Sequence, residues 1–457
     1  PGAVDDDAGV AAQDWAPVVR WTASPQALFV LSSEYFAENR RNGTVLEVNG
    51  TRLRQLALRG IVAAHGLWDG SVFAQSEDFD STFTSIAADR NSEKLVLQQQ
   101  VPSRASGAAL DWSLAGTGWN LLAGGSYTHV TAVDNEMTPA FPTQPTRAEN
   151  GRQRLGGGFT ELSWSPLAHW SVTATLRRDG WSNYDAFQAA PSGLTNYPAR
   201  HASAWSPSLG GVWAARPWLS LRASAYQSFR APTLNELYRP FRVGNILTES
   251  NPLLAAERYR GAQAGAVASL PHALRLHATY FDGWVSNLVT SVTLSQTAKQ
   301  ITDQRQNLGR VRPRGLILGL AWQPLAPVNL WADYTHLDAR VLSALQPQLV
   351  GLIPPHEPAN NFDARALLRA RGWTFSLAQR FGGSSFDDAL NQFPLPSFWT
   401  TDVFLSRAFA ARWGRWSPYL AATNLFNRRY AVEVTPGDLL NAPRTLTAGL
   451  RLRWGDL

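Results

Sequence analysis

The chain has 457 residues, with 41 Lys+Arg against 35 Asp+Glu for a formal net charge of +6, no Cys, 19 Trp and only 17% charged residues. Few charges with many aromatics exclude intrinsic disorder, and the missing thiols exclude a disulfide scaffold and a Cys-based zinc site. Apolar runs that break within a few residues exclude membrane-spanning helices, which need about 18 in a row.

The opening PGAVDDDAGV is acidic and carries neither an initiator Met nor a secretory signal, so the chain is expected to start inside a longer protein. The first recognisable strand covers residues 16–24. Two sequons, Asn42-Gly43-Thr44 and Asn49-Gly50-Thr51, read as turn chemistry, because Asn-Gly favours positive φ. Asp5–Asp7 and the group Glu77, Asp78 and Asp80 read as solvated loop carboxylates rather than a Ca²⁺ site. From Trp170 onward the period-two signal is plain. Trp170, Val172, Ala174 and Leu176 alternate with Ser171, Thr173, Thr175 and Arg177. The pattern repeats from Leu219, Leu274 and Val328, and closes with Leu446, Ala448, Leu450, Leu452 and Trp454 against Thr445, Thr447, Gly449, Arg451 and Arg453. Successive strand side chains point to opposite faces, so each segment has one apolar and one polar face. No stretch of helical spacing competes.

The connections alternate in length. Tight ones are expected at 23–26, 65–70, 115–118, 166–169, 215–218, 270–273, 324–328, 371–373 and 411–415. Long ones are expected near 43–52, 134–153, 184–201, 231–256, 340–357, 387–394 and 431–441. Short turns on one side and long loops on the other are the layout of an outer-membrane barrel. Trp68, Trp119, Trp170, Trp218, Trp322, Trp373, Trp413 and Trp416 cluster beside the tight turns, as a membrane-interface girdle would. The expectation is an all-β, transmembrane, antiparallel up-and-down barrel of about nineteen strands, some of them, as at 92–115 and 306–324, rising well above the membrane. The first and last strands both run toward the tight-turn side, which makes the count odd, whereas bacterial single-chain barrels have even counts.

Several motifs then carry a resemblance. Ser228-Phe229-Arg230-Ala231-Pro232-Thr233-Leu234-Asn235-Glu236-Leu237-Tyr238 resembles the FRAPTLNELY segment of TonB-dependent outer-membrane receptors. Asn251-Pro252-Leu253-Leu254 with Glu257 resembles that family's NPxLxPE stretch, with Ala256 in place of Pro. Asn307-Leu308-Gly309 leading to Arg314-Gly315-Leu316 resembles its long N…G…GxE strand, with Ile317 in place of Glu. Asn424-Leu425-Phe426-Asn427 with Tyr430 resembles NLFDxxY, and 444–454 the closing strand, here followed by Gly455-Asp456-Leu457 rather than ending on the aromatic. Together these cover roughly residues 205–454.

The resemblance implies that residues 1–457 are a partial receptor barrel, about 19 of an expected 22 strands, whose plug domain and energy-coupling box lie upstream. It implies an importer in the bacterial outer membrane that takes up a scarce solute, such as a ferric siderophore, cobalamin, haem or a saccharide. Its partners would be outer-membrane lipid, the inner-membrane energy-transducing complex and a small-molecule or metal-chelate cargo. A passive porin is the alternative; a soluble propeller or solenoid would need repeated motifs that the hairpins lack. No GxSxG elbow, phosphate loop or HExxH occurs and the eight His are scattered, so no catalytic residue, cofactor or resident metal is expected. Within the motifs, Arg230, Pro232, Asn235, Glu236, Asn251, Asn424 and Phe426 are expected to anchor loops. Tyr238, Arg239 and Arg242 are the nearest aromatic and cationic candidates for touching an anionic or aromatic chelate.

Overall fold

A computed structural model describes residues 2–142, 144–243, 246–297, 300–412, 414–434 and 439–454. The wall begins with Gly9–Trp15, which continues after Pro17 as Val18–Ser24. It proceeds through Ala27–Arg41, Val48–Ala63, Leu67–Ile86, Glu93–Gly116, Trp119–Met137, Arg147–Leu167, Trp170–Ala190, Arg200–Arg216 and Leu219–Arg230. It ends with Glu257–Leu270, Leu274–Gln296, Ile301–Leu325, Val328–Ser343, Asn360–Ala370, Trp373–Gly382, Phe398–Arg407, Gly414–Thr423 and Thr445–Trp454. Among the described residues this makes nineteen staves, each antiparallel to the next. The predicted first strand is longer than expected and broken in two, because Pro17 has no N–H to donate to the ladder.

Cross-strand partners share a face, so the register carries the apolar face from stave to stave. Trp454 pairs with Gly414, Leu450 with Pro418 and Leu420 with Leu405. Leu405 pairs with Phe375, Phe375 with Leu368, and Leu368 with Val328. Tyr334 pairs with Leu318, Leu318 with Ala278, and Ala278 with Ala266. Ala266 pairs with Leu221, Leu221 with Trp213, and Trp213 with Trp170. Leu162 pairs with Leu121, Leu121 with Leu114, Trp112 with Trp68, and Leu58 with Leu31. Arg451 and Arg453 fall on the other face, opposite Ser417 and Arg415. That polar face is the inner one, because the chain between staves folds back against it: Trp181, on the polar parity of Trp170–Ala190, packs on Leu237 and Tyr238.

All nine expected tight turns are present. Arg371 and Gly372 show why two residues suffice: both have positive φ, +51° and +81°, as a type I′ hairpin requires. Trp119, Trp170 and Trp373 open strands directly after tight turns and Trp218 closes one, so they stand at one end of the wall. Trp170 stacks on its cross-strand partner Trp213 with centroids 5.4 Å apart. Trp413 lies outside the described residues. At the other end, two connections absent from the expected set join long strands, 87–92 and 297–300. Strands Glu93–Gly116 and Ile301–Leu325 have 24 and 25 residues, so they rise far past the roughly 9–11 that cross a bilayer.

Among the described residues Gly9–Trp15 and Val18–Ser24 pair only with Ala27–Arg41, and Thr445–Trp454 pairs only with Gly414–Thr423. The sheet therefore has two free edges.

Candidate functional site

The loop after Arg230 is the most structured of the long connections. The ladder stops at Pro232, and Thr233 then caps a five-residue helix, Leu234–Tyr238. The cap is reciprocal. The Glu236 N–H donates to Thr233 Oγ1 at 3.2 Å, and the Thr233 N–H donates to Glu236 Oε2 at 2.8 Å. Arg230 ties this helix start to the next stave, reaching Glu236 at 3.0 Å and Glu257 at 2.6 Å. The Pro232 carbonyl accepts from Gln153 Nε2 at 2.9 Å, and the Asn235 carbonyl from Arg305 Nη1 at 2.6 Å. Asn251 donates to the Arg305 carbonyl at 2.9 Å and accepts from the Leu253 N–H at 3.0 Å. Leu237 and Tyr238 are 0% and 2% exposed, packed with Trp181, Ala186 and Leu254. Burial pushes the Tyr238 hydroxyl above its ordinary pKa.

Arg239, directly after the helix, reaches Asp134 at 2.5 Å. Asp134 belongs to a buried acidic group within the segment 134–153, expected from the sequence to be a loop. The strands run on to Met137 and restart at Arg147, so Asp134 pairs with Glu149 and Glu136 with Arg147 on the inner face. Asp134, Glu136 and Glu149 are 5%, 8% and 3% exposed. Gln99 Nε2 donates to Asp134 at 2.7 Å, and Arg147 lies 3.5 Å from both glutamates. Burial, followed by repulsion from Glu136, raises Glu149 to about 7. Because that value lies above the unfolded one, folding takes up a proton here. The stability it brings is full below about 4.5 and is lost as pH rises through 7. Glu149→Gln is expected to raise resistance to denaturation at pH 8 by up to about 3 kcal/mol and to change it little at pH 4; equal effects at both pH values would contradict this.

The three candidate contact residues thus separate. Tyr238 sits in the loop core and Arg239 in the ion pair, while Arg242 stays exposed, donating to Gln300 Oε1 at 2.9 Å. Phe241 lies under both Arg239 and Arg305, at 5.7 and 5.0 Å. After the penultimate stave, Asn424 is 7% exposed with φ +48°, its amide donating to the Arg428 and Ala442 carbonyls, while Phe426 is 74% exposed. No group of three or more His, Asp or Glu suited to hold a metal occurs among the described residues.

The family described as "TonB dependent receptor-like, beta-barrel" matches residues 6–425. No curated protein sequence matches the chain. Among solved structures it is similar to the copper transporter OprC, with TM-score 0.78 and 14% identity, covering 98% of this chain and 74% of that one. It is also similar to the ferric yersiniabactin uptake receptor FyuA from Yersinia pestis (TM-score 0.74, 14% identity, 97% and 71% covered). A third is the ferric citrate transporter FecA in its unliganded form (TM-score 0.73, 14% identity, 96% and 69% covered).

Proposed function

The chain belongs to the TonB-dependent receptor β-barrel family, proteins of the bacterial outer membrane that serve as receptors and transporters, and from this we propose that it imports a scarce metal chelate or cobalamin by energy-coupled transport. The observation that carries the reading is the loop 231–256. It folds inward and buries Leu237, Tyr238 and Leu254 against the inner wall, which a receptor needs to shape a cargo site and an open porin does not. Ferric chelates and copper are named for the similar structures, and an anionic chelate suits the exposed Arg242 on the strand Phe241–Val243. Tyr238 and Arg239 support that surface from beneath by holding the loop down. Three further strands, a plug and a coupling box in the complete protein would supply the closed wall and the link to the inner-membrane complex.

The reading is tested by titrating the purified full-length receptor with ferric siderophores, ferric citrate and cobalamin and following Trp fluorescence. Saturable binding of one of them, weakened in Arg242→Ala, supports it; no binding of any, with steady ion conductance across a planar bilayer, supports the porin.

A further inference from the structure

We propose that the outer surface of the staves between Arg147 and Leu270 binds a phosphorylated lipid of the outer leaflet, its phosphate on Arg178, Arg258 and Arg260 and an acyl chain in the groove beneath them.

The register places these arginines. Arg178 follows Leu176 on the apolar, outward parity of its strand, and Arg260 and Arg258 follow Ala262 on theirs. Each is therefore the continuation of the lipid face beyond its last apolar residue on the loop side, at the height where a headgroup would lie. All three are exposed. None has a carboxylate partner among the described residues. Arg178 lies over the Trp205 ring at 5.2 Å, Arg258 donates to the Ser203 carbonyl at 3.3 Å, and Arg260 Nε donates to Gln227 Oε1 at 2.9 Å. Several other outward arginines are neutralised, Arg54 by Asp78 at 4.0 Å, Arg312 by Asp282 at 2.5 Å, and Arg314 and Arg340 by Asp338 at 2.9 and 3.1 Å, whereas Arg52, Arg104 and Arg154 share the outward parity without a carboxylate partner among the described residues. On the patch and its groove the outward parity carries Asp185, which Arg152 holds at 3.2 Å, and Asp282, which Arg312 holds at 2.5 Å.

Unpaired guanidinium groups beside a bilayer attract phosphate, which they bind in bidentate fashion, and the Trp205 face fixes the Arg178 plane. Directly below, toward the tight turns, these strands and the neighbouring Leu274–Gln296 form a largely apolar groove of about 950 Å³, with Asp282 at its edge. Ala223, Ala225, Ala262 and Ala264 make its floor, and Trp213 and Tyr280 stand at its sides. Small side chains there leave room for an acyl chain attached to a headgroup held by the arginines. Charge above and a chain-sized groove below, on one set of staves, select a lipid over a soluble anion.

The probe is bisphosphorylated lipid A added to the full-length receptor in detergent and read by native mass spectrometry. Retention is expected for the native receptor, with a roughly hundredfold loss of affinity in Arg178→Gln/Arg258→Gln/Arg260→Gln, at about fivefold per cation. The triple variant must still show the heat-dependent gel shift of a folded barrel. If it does not, the native receptor decides alone: lipid A stripped of its phosphates should fail to bind. Equal retention by the folded variant, equal binding of the stripped lipid, or displacement of lipid A by equimolar inorganic phosphate would each overturn the proposal.

Discussion

In the full-length receptor, Leu450→Arg is expected to block barrel assembly, while Thr447→Arg is tolerated. Leu450 shares the continuous lipid face with Pro418 and Leu420, whereas Thr447 pairs with Ala421 on the inner face. An arginine facing hydrocarbon costs about 2–4 kcal/mol at mid-bilayer and close to nothing in a polar lumen. Because the two positions lie three residues apart on one strand, a difference between them reads the face and not the strand. The check is the fraction of protein in the outer-membrane pellet that migrates as the heat-modifiable form. Equal loss for both variants would mean that the faces are not divided as the register shows.

A second large effect concerns the free edges. Residues 1–457 alone are expected to misassemble and be degraded, because Val18–Ser24 and residues 445–453 each present, among the described residues, a row of N–H and C=O groups without a neighbouring strand. Hydrocarbon cannot satisfy such groups, at several kcal/mol each, and many along a row exceed what any domain's net stability tolerates. Trp21, Leu446 and Trp454 on these edges are also 63%, 71% and 70% exposed. Supplying the complete reading frame should restore a folded, detergent-soluble barrel. A stable, heat-modifiable barrel from residues 1–457 alone would show that the two edges meet.

Much of this wall was legible in the sequence because the membrane imposes a period of two. Where one face meets lipid, Leu450 and Arg451 cannot exchange places, so residues such as Trp170–Leu176 announce their strand and its facing. Above the membrane both faces are wet and the alternation fades. Residues 134–137 and 147–153 read as a loop for that reason, which hid the pairing of Asp134 with Glu149. The same loss of contrast concealed the connections at 87–92 and 297–300. The helix Leu234–Tyr238 is too short to show a 3.6 period, although its capping box, Thr233 followed three residues on by Glu236, was present as a signal. The identity of the contacts around Arg230 was not readable at all. Glu236 is near in sequence, but Glu257 stands opposite Arg230 only once Leu219–Arg230 pairs with Glu257–Leu270, and Gln153 reaches the Pro232 carbonyl from another stave of the inner wall.

Whether this wall serves an energised receptor or a passive channel is decided by uptake. Cells expressing the full-length protein are given the radiolabelled chelate that the purified receptor binds, with and without a protonophore that collapses the proton-motive force. With energy-coupled import, surface binding persists while accumulation stops. Accumulation that continues unchanged without the proton-motive force would contradict energy-coupled import and assign the barrel to passive diffusion.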